Sequence, residues 1–78
     1  MTNALNDAAE LAVLLKTGAD YHLLTTEQVA TLLGHSVAQL ANDRRMGLGP
    51  AWVQPFGPNG VVRYRLDDVR AYVNAAAA

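Results

Sequence analysis

Residues 24–40, LTTEQVATLLGHSVAQL, hold two helix starts and the helix stop between them. In Leu24-Thr25-Thr26-Glu27-Gln28-Val29, the Thr25 hydroxyl is placed to accept from the Gln28 amide while the Gln28 side chain reaches back. Leu24 and Val29 flank that capping box as a hydrophobic staple. Val29, Leu32 and Leu33 continue at helical spacing, and Gly34 supplies a left-handed stop. Ser36 and Gln39 then repeat the capping pattern and open a second helix that runs to about Gly47. Two short helices joined by Gly-His-Ser read as a helix-turn-helix over 24–47, a shape that seats one helix in a DNA major groove.

Working outward, Gly47-Leu48-Gly49-Pro50 breaks the second helix. Ala51–Phe56 reads as a strand with Trp52 and Phe56 as its large apolar residues, and Pro55 marks it as an edge or irregular strand. Gly57-Pro58-Asn59-Gly60 is a turn, and Val61–Arg65 returns as a second strand. Alternation sets Val62, Tyr64 and Leu66 on one face and Val61, Arg63 and Arg65 on the other. Such a hairpin after a helix-turn-helix is a wing. A last helix is expected from Asp67 as N-cap, with Val69, Tyr72 and Val73 facing the core. Upstream, 3–17 reads as a helix capped by Asn3 and stopped by Gly18, followed by a short linker to Leu24. The expected fold is mainly α with a small β-hairpin: a winged helix-turn-helix domain over 19–78, preceded by an N-terminal helical extension over 1–18.

Seventy-eight residues are close to the lower limit for a single self-sufficient core, and there is no cysteine to reinforce it. Fourteen alanines inflate the apolar fraction. No apolar run reaches membrane-spanning length and the N-terminus lacks the pattern of a signal peptide, so a soluble, cytoplasmic chain is expected. The net charge of −1 conceals a segregation. Residues 1–43 set Lys16 against Asp7, Glu10, Asp20, Glu27 and Asp43, whereas 44–78 set Arg44, Arg45, Arg63, Arg65 and Arg70 against Asp67 and Asp68. The local field, rather than the total charge, governs attraction to phosphate; an ordinary solvated surface is the competing account.

Winding the second helix at 100° per residue turns Val37, Leu40, Ala41 and Arg44 inward and Gln39, Asn42 and Met46 outward, flanked by Ala38, Asp43 and Arg45. Gln39 and Asn42 are the best base-readers, because a carboxamide donates and accepts together on an adenine edge, and Ala38 suits a thymine methyl. Arg45 fits a guanine or a phosphate, and Arg44 a phosphate or an acid. Each has a plainer alternative: Gln39 completing a cap, Asn42 solvated, Arg63 and Arg65 on a solvated strand, Asn59 serving its turn. His22 and His35 are separated and lack cysteine partners, so no metal is expected. Enzyme motifs are missing, and Asp67-Asp68 has a sufficient role at a helix start; neither an enzyme nor a cofactor is expected. Leu11, Leu14 and Leu15 cover much of the N-terminal helix circumference, which suits either packing on its own domain or docking on a neighbouring copy.

LLTTEQVATLLGHS, RRMGLGP and VRYRLDDVRAYV, spread over about residues 23–73, together resemble the excisionase group of small winged helix-turn-helix proteins. That group is related to the DNA-binding portions of MerR-type and AlpA-like regulators. The alanine-rich chain looks like an excisionase from a phage of a high-GC actinobacterial host. The resemblance implies a recombination directionality factor that binds and bends double-stranded DNA as adjacent copies. It would direct a tyrosine integrase toward prophage excision without cutting DNA itself. It also implies phosphate contact by Arg63 and a core place for Tyr64 with its hydroxyl toward DNA. The DNA-contacting set expected is then Ser36, Ala38, Gln39, Asn42, Arg44, Arg45, Asn59, Arg63, Tyr64 and Arg65. A phage transcription regulator, a small terminase subunit or a protein-interaction module are the alternatives.

Overall fold

Why the chain closes on itself is clearest at Tyr64 and Arg65. The computed structural model describes residues 7–77, in the order α1 (Ala8–Thr17), β1 (Leu23–Leu24), α2 (Thr26–Leu33), α3 (Val37–Arg45), β2 (Tyr64–Arg65) and α4 (Leu66–Ala77). This is a mainly helical fold with a small antiparallel sheet. β1 pairs with β2 in the register Leu23↔Arg65 and Leu24↔Tyr64. Residues 18–24, expected to be a linker, therefore contribute a strand. Conversely, the hairpin expected between 51–56 and 61–65 reduces to one paired position, where Val53 N donates to Arg63 O at 2.8 Å and Arg63 N to Val53 O at 2.9 Å. Pro55 and Pro58 carry no amide donor, and the intervening backbone closes turns instead of a ladder.

The helix ends follow their local chemistry. At α2 both halves of the capping box form: Gln28 N donates to Thr25 Oγ1 at 3.0 Å and Thr25 N to Gln28 Oε1 at 2.9 Å. α2 and α3 stop in the same way. His35 N donates to Ala30 O and Gly34 N to Thr31 O, and likewise Leu48 N to Asp43 O and Gly47 N to Arg44 O. Gly34 and Gly47 sit at φ 71° and 74°, the left-handed conformation that this 6→1, 5→2 pattern demands. α1 is capped by Asp7, whose side chain accepts from Ala9 N at 2.7 Å; the expected cap Asn3 lies outside the described residues.

α4 begins at Leu66, one residue before the expected N-cap, and runs on from β2 without a loop. Backbone does the capping. Leu66 N donates to His22 O and Asp67 N to Asp20 O, each at 2.9 Å, satisfying amides that a helix start leaves open. Asp67 and Asp68 remain in the first turn, where negative charge is favourable. In return, Arg70 of α4 reaches the C-terminal end of α1, donating from Nε to Leu15 O and from a terminal nitrogen to Gly18 O, both at 2.6 Å. Its other terminal nitrogen pairs with Asp20 at 2.7 Å. Arg70, one of the five arginines of residues 44–78, is thus a clamp on helix α1.

Leu11, Leu24, Val29, Ala30, Leu40, Tyr64, Leu66 and Val69 form one buried cluster, with Leu14, Leu15, Val62 and Val73 packed partly against it. Leu11 is thus fully interior and cannot face a second copy, while Leu14 and Leu15 are half-buried on the same core. The α1 helix is apolar so far round because it packs on both α2 and α4. Val37, expected inside, is 45% exposed; Leu40 is the only fully buried side chain of α3.

Gly18 has an ordinary φ of −73°, so replacing it by alanine would normally stabilise slightly through the unfolded chain. Here an added Cβ would lie 2.6 Å from both Leu14 Cδ1 and Leu66 Cδ2 and 2.7 Å from the Leu14 carbonyl oxygen. Gly18→Ala is expected to destabilise by about 1–3 kcal/mol in urea unfolding. A stabilised variant would show that α1 and α4 are not in such close contact.

Candidate nucleic-acid interface

Burial of Leu40 and half-burial of Ala41 fix which side of α3 meets solvent. Ser36, Val37, Ala38, Gln39, Asn42, Arg45 and Met46 are exposed on that helix and its cap. Ser36 Oγ accepts from Gln39 N at 3.0 Å, so the cap is in place. The reciprocal bond from the Gln39 side chain, seen at the α2 start, does not recur among the described residues. Its carboxamide is left on the surface. Asn42 is already engaged: its Oδ1 accepts from Arg45 at 2.8 Å. That bond leaves the two Asn42 amide protons pointing away from the arginine and makes the pair one unit.

Arg44 sits at the last turn of α3, half-buried, and spans to the sheet. It donates to Tyr64 Oη at 2.8 Å, and its guanidinium lies 5.9 Å from the Trp52 ring centroid, within cation–π range. Neither expected partner, a phosphate or an acid, is needed to explain its position. Tyr64 itself is 1% exposed, and its hydroxyl is taken by Arg44, so it is a core residue that orients an arginine rather than a surface contact. The polar tip explains why a tyrosine fits at this buried position.

The paired position Val53↔Arg63 marks the base of the loop 54–62. Two consecutive turns build it: Gly57 N donates to Gln54 O at 3.1 Å, and Gly60 N to Gly57 O at 2.9 Å across Pro58-Asn59. The second is the turn the sequence foretells. Gln54 Nε2 then donates to Pro58 O at 3.2 Å and to Gly60 O at 3.0 Å, tying the loop across its width. Nothing in the sequence pattern marks Gln54 for this role; only the folded loop brings those carbonyls to it. Asn59 is exposed at the second turn. Arg63 is half-buried and donates to Val62 O at 2.9 Å, while Arg65 pairs with Asp67 at 2.9 Å. That pair is part-buried, with side-chain exposures of 44% and 35%, and Arg65 Nε and Asp67 Oδ1 are buried beside it without hydrogen-bond partners among the described residues.

Between Arg44 and Leu66 the chain has no aspartate or glutamate, and Arg44, Arg45, Arg63 and Arg65 fall within that span. The Arg44–Tyr64 bond ties the C-terminal end of α3 to β2, whose Arg65, like the preceding Arg63, alternates to the face opposite Tyr64. Forked guanidinium groups beside a helix carrying exposed carboxamides are suited to bind phosphate and read base edges. No protein-family model, curated protein or solved structure gives a significant match to this chain.

Tyr64→Phe keeps the buried ring and removes the acceptor for Arg44. It is expected to cost about 0.5–1.5 kcal/mol in urea unfolding and to alter the emission of Trp52, the one tryptophan of the chain. Unchanged stability and emission would mean that the Arg44 bond does not hold α3 to the sheet.

Proposed function

We propose that this chain is a winged helix-turn-helix DNA-binding protein of the excisionase type, with α2 and α3 as the helix-turn-helix, α3 in the major groove and loop 54–62 as the wing. One observation carries the reading. The exposed face of α3 bears Ala38, Gln39, Asn42 and Arg45, and the Arg44–Tyr64 bond ties that helix to the arginine-bearing strand. Gln39 and the Asn42 amide read bases, Arg45 positions Asn42 and meets guanine or phosphate, and Arg63 and Arg65 neutralise backbone. Arg65 does so by exchanging Asp67 for a phosphate. Ser36 serves at the helix start, whose amides favour an anion, and Asn59 meets the backbone from the wing. Arg44 and Tyr64 act by holding the two elements in register.

One α3 and one short wing offer little contact area, so occupancy rises chiefly through neighbouring copies or a tyrosine integrase on the same DNA. With Leu11 inside the core, the surface of α1 open to a neighbour centres on Val13, which is 58% exposed above a groove of about 570 Å³ between α1 and α4.

Gln39→Ala or Asn42→Ala should weaken selected DNA relative to random DNA by about 1–3 kcal/mol. The Arg63→Ala/Arg65→Ala double variant should instead weaken both alike and reduce the log–log salt slope by about 1.8. A reversal of those two patterns would exchange the roles of helix and strand. The biological role is tested by reconstituting excision with a cognate tyrosine integrase, where added chain should convert an inactive mixture into one that yields excised circles. DNA binding without any effect on excision would leave a regulator in its place.

A further inference from the structure

Phe56 is 75% exposed and takes no part in the hydrophobic cluster. It occupies a central position of the turn closed by Gly57 N and Gln54 O, with Pro55 before it and Gly57 at φ 105° after it. The loop cannot readily fold over the ring. A Cβ on Gly60 would lie 3.1 Å from Phe56 Cβ, so the opposite turn already packs against the base of the side chain. Gln54 bonds to Pro58 and Gly60 hold both turns together. The ring is thus presented to solvent on a braced backbone, with little ordering left to do on binding.

The surroundings select what meets it. Residues 44–66 carry four arginines and no acidic side chain, Asp43 and Asp67 lying at the two edges of that span, and Arg63 stands at the foot of the loop, a balance that favours phosphate. We infer that Phe56 is a DNA wedge: it enters the minor groove beside the site held by α3, inserts at a base step and kinks the duplex toward the major groove. Apolar side chains flanked by cations do this by exchanging stacking of one step for contact with the ring. Flexible pyrimidine–purine steps, which unstack most easily, are the favoured targets. This inference rests on the DNA-binding reading above and specifies how that surface deforms its ligand.

The probe is a short duplex selected by the full chain from a random pool, with a dye at each end and 2-aminopurine at successive steps. The full chain should shorten the end-to-end distance and raise 2-aminopurine emission at one step. Phe56→Ala, at an exposed position, should retain the helical circular dichroism and abolish that emission rise. It should also restore most of the end-to-end distance while weakening binding by no more than about tenfold. Phe56→Leu, still apolar, should keep part of the kink. Unstacking and bending that persist in Phe56→Ala overturn the wedge while leaving DNA binding intact. A Phe56→Ala defect seen only in self-association or integrase contact, with the kink unchanged, assigns the ring to a protein partner and equally overturns it. If the full chain selects no duplex at all, the DNA-binding reading itself fails and the wedge falls with it.

Discussion

Pairing of Leu24 with Tyr64 closes a chain segment of some forty residues, and nearly every other contact is arranged around that closure. Both side chains are buried, so the pairing removes two large apolar groups from water together with the backbone groups that carry them. Its geometry then fixes the neighbours. With Tyr64 inward, Arg63 and Arg65 must lie on the other face, because side chains alternate along a strand. Directly after it, Leu66 opens α4 with its amide bonded to His22, immediately before β1. A small protein without disulfides depends on such doubly used positions, since it has little area with which to offset chain entropy.

The same closure arranges the charges of a chain whose net charge is −1. Arg70 and Asp20 are drawn together at the α1 end, and Asp67 is held beside Arg65. Residues 44–66, which include the α3 end and loop 54–62, contain no carboxylate, with Asp43 and Asp67 at the edges of that span. Fields at this range follow the local arrangement, because screening suppresses more distant charge within about 8–10 Å. Arg44 is the least free of these cations, and its value lies in geometry: it fastens the helix that carries Gln39 and Asn42 to the strand that carries Arg63 and Arg65.

Helix ends were the most legible part of the sequence. Thr25, Gln28, Gly34, Ser36 and Gly47 each act within a few residues, and their chemistry is local enough to read without a fold. The Gly57–Gly60 turn belongs with them. What could not be read was competition between partners far apart in sequence. Val61–Arg65 alternates as expected, yet alternation does not say whether the mate is 51–56 or Leu23-Leu24. The helix α4 lacked a side-chain cap for the same reason, because its caps are carbonyls of residues 20 and 22. Leu11 looked like a docking residue only because two covering helices were invisible from its own segment. At the candidate surface, the outward side of α3 was legible from periodicity. The fastening of Arg44 to Tyr64 and the bracing by Gln54 were not, since both join residues that only folding makes neighbours.

The uninterrupted passage from β2 into α4 makes the last helix a lever. Twelve residues at 1.5 Å each give an arm of about 18 Å with no flexible joint at its root. A tilt of the sheet by about 10° would sweep the far end of that arm through roughly 3 Å. Torque exerted on the strand would therefore be felt at the alanine-rich end of the chain, and a load placed on that end would bear back on the strand.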